Sequence, residues 1–376
     1  MRGSWVTVLP GVALLLSACG GGGLQPDAGT DARRADAAKY DSGLPDSVRV
    51  ADAGVSDAGV SDAYYRPDRQ PLSPGTWALS GTAADLPYDD LAPLGTLIAG
   101  ASYVGLGESV HTSGGFYATK HRLIRYLVDV QGFRVFAMET PRTAARRLDE
   151  YITTCGGSAE DALKAAIFSV FADDNTAALA LWLCQRNAGN PSDPVRFFGF
   201  DAQQPEQDLA EVRAFLTAAA PADATALLDA LDPCRKSLAE SIGSNGQPRL
   251  YPQANYEACV AGLTALSDYL STNEAALTAS TSAEQLALAR VAVVSFGSWQ
   301  PEMFFYTSDV KASFEARDVA MASIFQSLVQ LYYPGQKTIL WAHDYHLAAR
   351  HLEVTDDEPS ASTTMGTELT KALGTA

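Results

Sequence analysis

In Gly107-Glu108-Ser109-Val110-His111 a carboxylate and an imidazole lie three residues apart, the pair of groups needed to take a proton from water near neutral pH. The imidazole is the base, and a neighbouring carboxylate orients its ring and stabilises its charged form. Two further stretches hold the same side-chain types: Ala137-Met138-Glu139 and Trp341-Ala342-His343-Asp344-Tyr345-His346. The chain has five histidines, His111, His121, His343, His346 and His351, and three of them fall in these stretches. One histidine alone is more often structural, but several converging with glutamates reverse that reading. His121 and His351 lack this placement and read as surface residues. The chemistry these groups suit is general-base activation of water, with Glu108 or Glu139 as the partner of His111. Donors for the developing oxyanion would be a protonated His343 or His346, or backbone N–H groups at a helix start. Ser109 does not stand in a GxSxG elbow, so a serine nucleophile is disfavoured. Gly105-Leu106-Gly107 lacks the third glycine of a phosphate loop.

The elements that must position these groups alternate between strand and helix. Ala101 to Leu106 is a short apolar run that reads as a buried strand. Phe116, Leu123, Ile124, Leu127 and Val128 have the spacing of an amphipathic helix over 116–130, Gly132 stops it, and Phe133 to Met138 forms a second strand. Such a βαβ unit has parallel strands and a right-handed crossover. Glu108, His111 and Glu139 therefore emerge at one carboxyl edge, where open α/β sheets hold ligands. Val195 to Phe200 delivers Asp201 to the same edge, and Thr338 to Ala342 delivers His343. Residues 206–331 are mostly helical, with Val291 to Phe296 ambiguous, and read as an insertion or lid over the carboxyl edge of the strands. Arg317 and Asp318 sit on a helix from Lys311 to about Tyr332. The fold expected is α/β, a mostly parallel sheet flanked by helices. Simpler roles stand beside these: Glu108 and Glu139 could cap helices, worth about 0.3–1 kcal/mol, Asp201 could be an N-cap, and Arg317 and Asp318 could pair within the protein.

Of the 376 residues, 47% are hydrophobic and 19% charged, enough for a sizeable core. The net charge is −17; residues 20–75 hold nine Asp against six Lys and Arg, so most of the acidity lies in the body. An acidic surface of this size repels nucleic acid and anionic membranes. Arg2 precedes an apolar run from Trp5 to Leu16, too short to span a bilayer, followed by Leu16-Ser17-Ala18-Cys19. This resembles a bacterial lipoprotein signal: residues 1–18 are removed, and Cys19 is acylated and anchors an exported protein in the cell envelope, at the outer membrane. Residues 19–75, rich in Gly, Ala, Asp and Ser, are a flexible tether, and the body occupies 76–376. Cys155, Cys184, Cys234 and Cys259 form an even set in an oxidising compartment, which allows one or two disulfides of unspecified pairing or buried free thiols.

Several motifs in order resemble the erythromycin esterase-like proteins. They are Gly107-Glu108-Ser109-Val110-His111, Lys120-His121-Arg122-Leu123, Ala137-Met138-Glu139, Phe198-Gly199-Phe200-Asp201, Arg317-Asp318-Val319-Ala320-Met321-Ala322, Trp341-Ala342-His343-Asp344-Tyr345-His346 and Met365-Gly366. The resemblance runs from about Leu91 to Ala376. It implies a hydrolase, in a family best known for opening macrolide lactones, that uses a histidine base on water without a nucleophilic serine or an obligatory metal. By position His111 would be that base, with Glu108 and Glu139 as acidic neighbours and Lys120, a further candidate donor to the oxyanion, at a helix position often held by Arg or Lys. His343 and His346 match the late histidines, with Asp201 and Arg317 in support. Lys120 is named only through the resemblance, since a lysine on an amphipathic helix is ordinarily solvated. Gly114-Gly115 stand where relatives commonly carry a charged residue, and the chain continues only briefly past Met365-Gly366-Thr367-Glu368-Leu369, where relatives usually have a further segment. The expected substrate is a small ester or lactone, with no cofactor. One alternative is a divalent metal on Glu108, His111, Glu139, His343 and His346, which are ligand types preferred by zinc or manganese. The other is a non-enzymatic lipoprotein holding a ligand such as haem or an envelope component in the same cleft.

Overall fold

A computed structural model describes residues 5–8, 77–241, 251–349 and 363–374. Cys19, nearly all of the tether and His351 lie outside the described residues. The strands are β1 (Trp5–Val8), β2 (Tyr103–Glu108), β3 (Val135–Pro141), β4 (Arg196–Asp201) and β5 (Thr338–His343). The helices, in chain order, are α1 (Ala92–Leu97), α2 (Gly114–Asp129), α3 (Arg146–Thr154), α4 (Ala159–Ala166), α5 (Asp174–Gly189), α6 (Pro205–Ala219), α7 (Ala224–Asp229), α8 (Asp232–Ser241), α9 (Gln253–Thr272), α10 (Glu274–Ser280), α11 (Ala283–Phe305), α12 (Val310–Tyr332), α13 (Asp344–Leu347) and α14 (Met365–Leu373).

The expected α/β architecture is present. All strand pairs are parallel, in the order β1-β2-β5-β3-β4. Alternation along each strand sends side chains to two faces, and both are covered, as in parallel sheets generally. Val104, Leu106, Phe136, Met138, Ile339 and Trp341 share a core with Leu123, Ile124 and Leu127 of α2 and with α3 to α5. Val135, Ala137, Phe198, Phe200, Leu340 and Ala342 pack instead on Met321, Phe325 and Leu328 of α12 and Leu369 of α14.

The β2-α2-β3 unit is parallel, as its pattern predicts, yet its two strands are not neighbours. β5, the last strand in sequence, lies between them: Glu108 pairs in register with His343, and Met138 pairs with Trp341. This insertion draws the three motifs of the carboxyl edge together. Gly107 makes room for the turn that follows β5, because a Cβ there would fall 2.9 Å from the Cβ of Asp344.

The structure resolves points that the sequence left open and departs from it at His121. Trp5–Val8, inside the apolar run read as the export signal, forms a strand beside β2; an aromatic and β-branched tetrad fits a sheet edge as well as a signal core. Val291 to Phe296 is helical, in the middle of α11, where its buried residues pack mainly on α6 and α9. His121, read as a surface residue, is buried. The face of α2 turned from the sheet is covered as well: Arg122 binds Asp90 and the carbonyls of Gly81 and Pro87 in the segment around α1. Burial, together with Arg125 nearby, lowers the His121 pKa to about 4, so the ring is neutral. Residues 205–332 are helical apart from short links and the undescribed stretch 242–250, and α6 to α11 build a core of their own, whereas α12 is a flanking layer of the sheet. The four body cysteines form two disulfides, Cys155–Cys184 between α3 and α5 and Cys234–Cys259 between α8 and α9.

Candidate active site

The first group of site residues is built on β2 and α2. Glu108 ends β2 fully buried, and its Oε1 lies 3.0 Å from His111 Nδ1. Its Oε2 accepts from Lys120 Nζ, one and a half turns into α2, and that ammonium also sits 4.6 Å from the centre of the Trp341 ring. Lys120 is thus buried, contrary to the ordinary expectation for a helix lysine. Burial lowers its pKa to about 8 against the opposing pull of Glu108, which leaves it cationic at neutral pH. A carboxylate on Nδ1 selects the tautomer whose Nε2 holds the basic lone pair, which is the form a general base needs. Of the two glutamates considered as partner of His111, Glu108 makes the contact.

His343 ends β5, with its ring 5.1 Å from that of His111. Its Nδ1 accepts from the Tyr345 N–H at 3.1 Å, capping α13, and Nε2 is 3.2 Å from the Ser109 carbonyl. Asp344 Oδ1, 3.0 Å from Nδ1, stands ready to pair with the protonated ring. His343 is the more exposed of the two imidazoles, at 21% against 13% for His111.

The second group is centred on Glu139 and buried apart from Arg317, whose side chain keeps 12% exposure. Glu139 Oε2 accepts the His343 N–H at 2.9 Å, and Oε1 accepts from Arg317 Nη2 at 2.8 Å. The same Nη2 reaches Asp201 Oδ2 at 2.5 Å. His346 Nδ1 lies 3.0 Å from both oxygens of Asp318, and Asp318 Oδ1 also accepts the Met365 N–H at 2.7 Å. Met365-Gly366 is explained by this docking, since a Cβ on Gly366 would fall 2.2 Å from the Leu347 carbonyl oxygen. Burial opposes charge throughout, but His346 and Arg317 outweigh it and hold Glu139 well below the usual carboxylate range. Asp318 and Glu139 likewise outweigh burial at His346 and raise its pKa to about 10. Arg317 Nη1 approaches His346 Nε2 to 3.1 Å, a hydrogen bond only for the neutral ring. With Glu139, Asp201 and Asp318 all buried around one guanidinium, the protonated ring is the form the charge balance favours.

The structure therefore brings Glu108, His111, Lys120 and His343 into one group and Glu139, Asp201, Arg317 and His346 into another, joined where Glu139 binds the His343 backbone. His346, considered as an oxyanion donor, is instead committed to Asp318. Three of the five donors considered for a divalent ion already have partners. Glu108 is held by Lys120 and His111, both oxygens of Glu139 by N–H groups, and His346 by Asp318. Among the described residues no group of three or more His, Cys, Asp or Glu side chains is disposed to hold a metal.

Sequence reasoning missed three contributors. Glu302, near the end of α11, is buried with Oε1 accepting from Gln203 at 2.9 Å and Oε2 without a hydrogen-bond partner. Burial raises its pKa to about 7, against the pull of Arg317. A carboxylate between Pro301 and the apolar Met303-Phe304-Phe305 was the available signal. The others are Phe171, whose ring meets the His111 ring edge-on at 4.9 Å, and Tyr117 on α2.

The erythromycin esterase family profile matches residues 128–376. YbfO of Bacillus subtilis (strain 168) is 25% identical over 297 residues, covering 73% of this chain and 63% of that protein. Erythromycin esterase type I of Escherichia coli is also 25% identical over 297 residues, covering 72% of this chain and 69% of the enzyme. The chain thus spans less than two thirds of the length of the Bacillus relative. In fold it is similar to a crystal structure of a Bacillus cereus protein (TM-score 0.62, 23% identity, 79% of this chain and 69% of that one). It is similar also to an erythromycin esterase mutant in its open conformation (TM-score 0.59, 22% identity, 76% and 71%). This chain belongs to the erythromycin esterase family.

Proposed function

We propose that the protein is a hydrolase of a carboxylic ester or lactone in which His111 acts as general base on water without a metal. The observation that carries this reading is the buried Glu108 on His111 Nδ1 at 3.0 Å, itself neutralised by Lys120. In the proposed reaction His111 Nε2 takes a proton from water as its oxygen bonds to the acyl carbon. Glu108 stabilises the imidazolium, and the tetrahedral intermediate collapses as the carbon–oxygen bond to the leaving group breaks. The proton held by His111 passes to the departing alkoxide, giving an acid and an alcohol, or one hydroxy acid from a lactone. His343, beside His111 and partly exposed, is the proposed donor to the oxyanion once its Nε2–H leaves the Ser109 carbonyl, a role worth about 10²–10³-fold where it has been measured in other hydrolases. The helical region above the carboxyl edge is proposed to shield the reaction from bulk water. The name of the Escherichia coli relative supports an ester as the substrate class.

The mature protein is further proposed to be exported and held in the cell envelope by acyl chains on Cys19, at the outer membrane, its sheet then consisting of β2-β5-β3-β4 after removal of residues 1–18 with β1. Two disulfides within the body suit an oxidising compartment.

The test is a panel of esters and lactones assayed by acid release, using protein dialysed against a chelator and checked by elemental analysis. Turnover by metal-free protein is expected. Activity that vanishes on chelation and returns with zinc or manganese would overturn the metal-free mechanism. An absence of turnover together with tight retention of a coloured or organic ligand would favour a binding protein.

A further inference from the structure

Between the end of β2 and the start of α2 the chain has only residues 109–113 in which to turn, and His111 lies in the middle. Thr112, directly after it, adopts φ +63°, one of two positive values among the described non-glycine residues. A β-branched residue does not rest there unaided. The Thr112 hydroxyl donates to the His111 carbonyl at 2.6 Å, and the backbone N–H is held by Tyr117, one turn into α2. Its hydroxyl accepts the Thr112 N–H at 2.8 Å and donates to the Val170 carbonyl at 2.6 Å. Its ring is buried, 5.3 Å from Trp341 and 6.4 Å from Phe171, and Phe171 in turn touches the His111 ring. Burial pushes the phenol up, so it remains protonated and able to donate.

We propose that Tyr117 is a positioning residue for the reaction: by clamping Thr112 in the left-handed conformation, it aims the His111 imidazole at Glu108 and at the attacking water. This rests on the reading of His111 as the base. The clamp has two anchors, the backbone after His111 and the segment carrying Phe171, so it sets the ring from below and from its edge. Tyr117 acts through His111 and carries no proton in the reaction.

The experiment compares wild type, Tyr117→Phe, Tyr117→Phe with Thr112→Asn, and His111→Ala, each first shown to be folded by near-UV circular dichroism. Phenylalanine keeps the buried ring and removes only the hydroxyl. A fall in kcat of about 10–100-fold with KM within about twofold is expected, the scale of a slightly misplaced base. Asparagine accepts positive φ far more readily than threonine, so the double variant should recover kcat at least about threefold over Tyr117→Phe. A merely structural tyrosine would lower Tm in both variants without that recovery. A Tyr117→Phe enzyme within twofold of wild-type kcat, or a double variant with no recovery, would overturn the positioning role. Full turnover by His111→Ala would overturn the reading of the base instead, so the two failures are distinguishable.

Discussion

At the scale of single residues, the site separates a base from a buried charge cluster. His111 has one carboxylate partner, and that partner has one cation. Replacing Glu108 by Gln removes the charge that favours the imidazolium and the correct tautomer. A loss in kcat of about 10²–10⁴-fold is expected, measured with the protein shown to be folded. Glu302 gives a prediction about stability. Its pKa is raised from 4.5 to about 7, so between these values the folded state binds the proton and the unfolded state has released it. Stability contributed by the protonated group is full below pH 4.5 and declines as pH rises towards 7, by on the order of 3 kcal/mol. Denaturant titrations of Glu302→Gln across pH 4.5–7 should show a flatter profile than wild type; parallel profiles would refute the assignment. Glu108, His111, Glu139, Asp201 and His343 were legible in the sequence, because each follows an apolar run short enough to be a buried strand. Glu302, Tyr117 and the burial of Lys120 were not. Helical periodicity names an apolar face but does not say when the opposite face is covered too, as it is on α2.

At the scale of elements, α12 supplies the charge that holds the carboxyl edge together. Arg317 stands between Glu139 of β3 and Asp201 of β4, and its neighbour Asp318 fixes His346 and the start of α14. Arg317→Met would leave buried Asp201 without its cation and Glu139 with His346 alone, so stability should fall by about 3–5 kcal/mol, read from urea midpoints. A change below about 1 kcal/mol would mean that the cluster is neutral or solvated. This arrangement was hidden for a topological reason. Adjacent motifs in sequence suggested that β2 and β3 were neighbours, but β5 lies between them, so the contact between Glu139 and His343 depends on a strand about 200 residues downstream. The run Val291 to Phe296 was left open because short apolar stretches suit strand and helix alike until their surroundings are known.

At the scale of the whole molecule, a parallel sheet carries the base and the cluster, a separate helical core rises from residues 205–305, and one disulfide braces each part. Removing Cys155–Cys184 by paired substitution to serine should cost about 2–4 kcal/mol, and thermal melts of the variant check it against Cys234–Cys259. If the proposed anchor is right, Cys19→Ala should move the protein from the membrane fraction to the soluble one after cell lysis. Retention in the membrane would count against lipidation. The central claim is that His111 removes the proton from the attacking water, and the most direct test is the hydrolysis rate of His111→Ala on any substrate that the wild type turns over. A folded variant with kcat lowered by about 10²–10⁴-fold is the predicted result; turnover equal to wild type would contradict it.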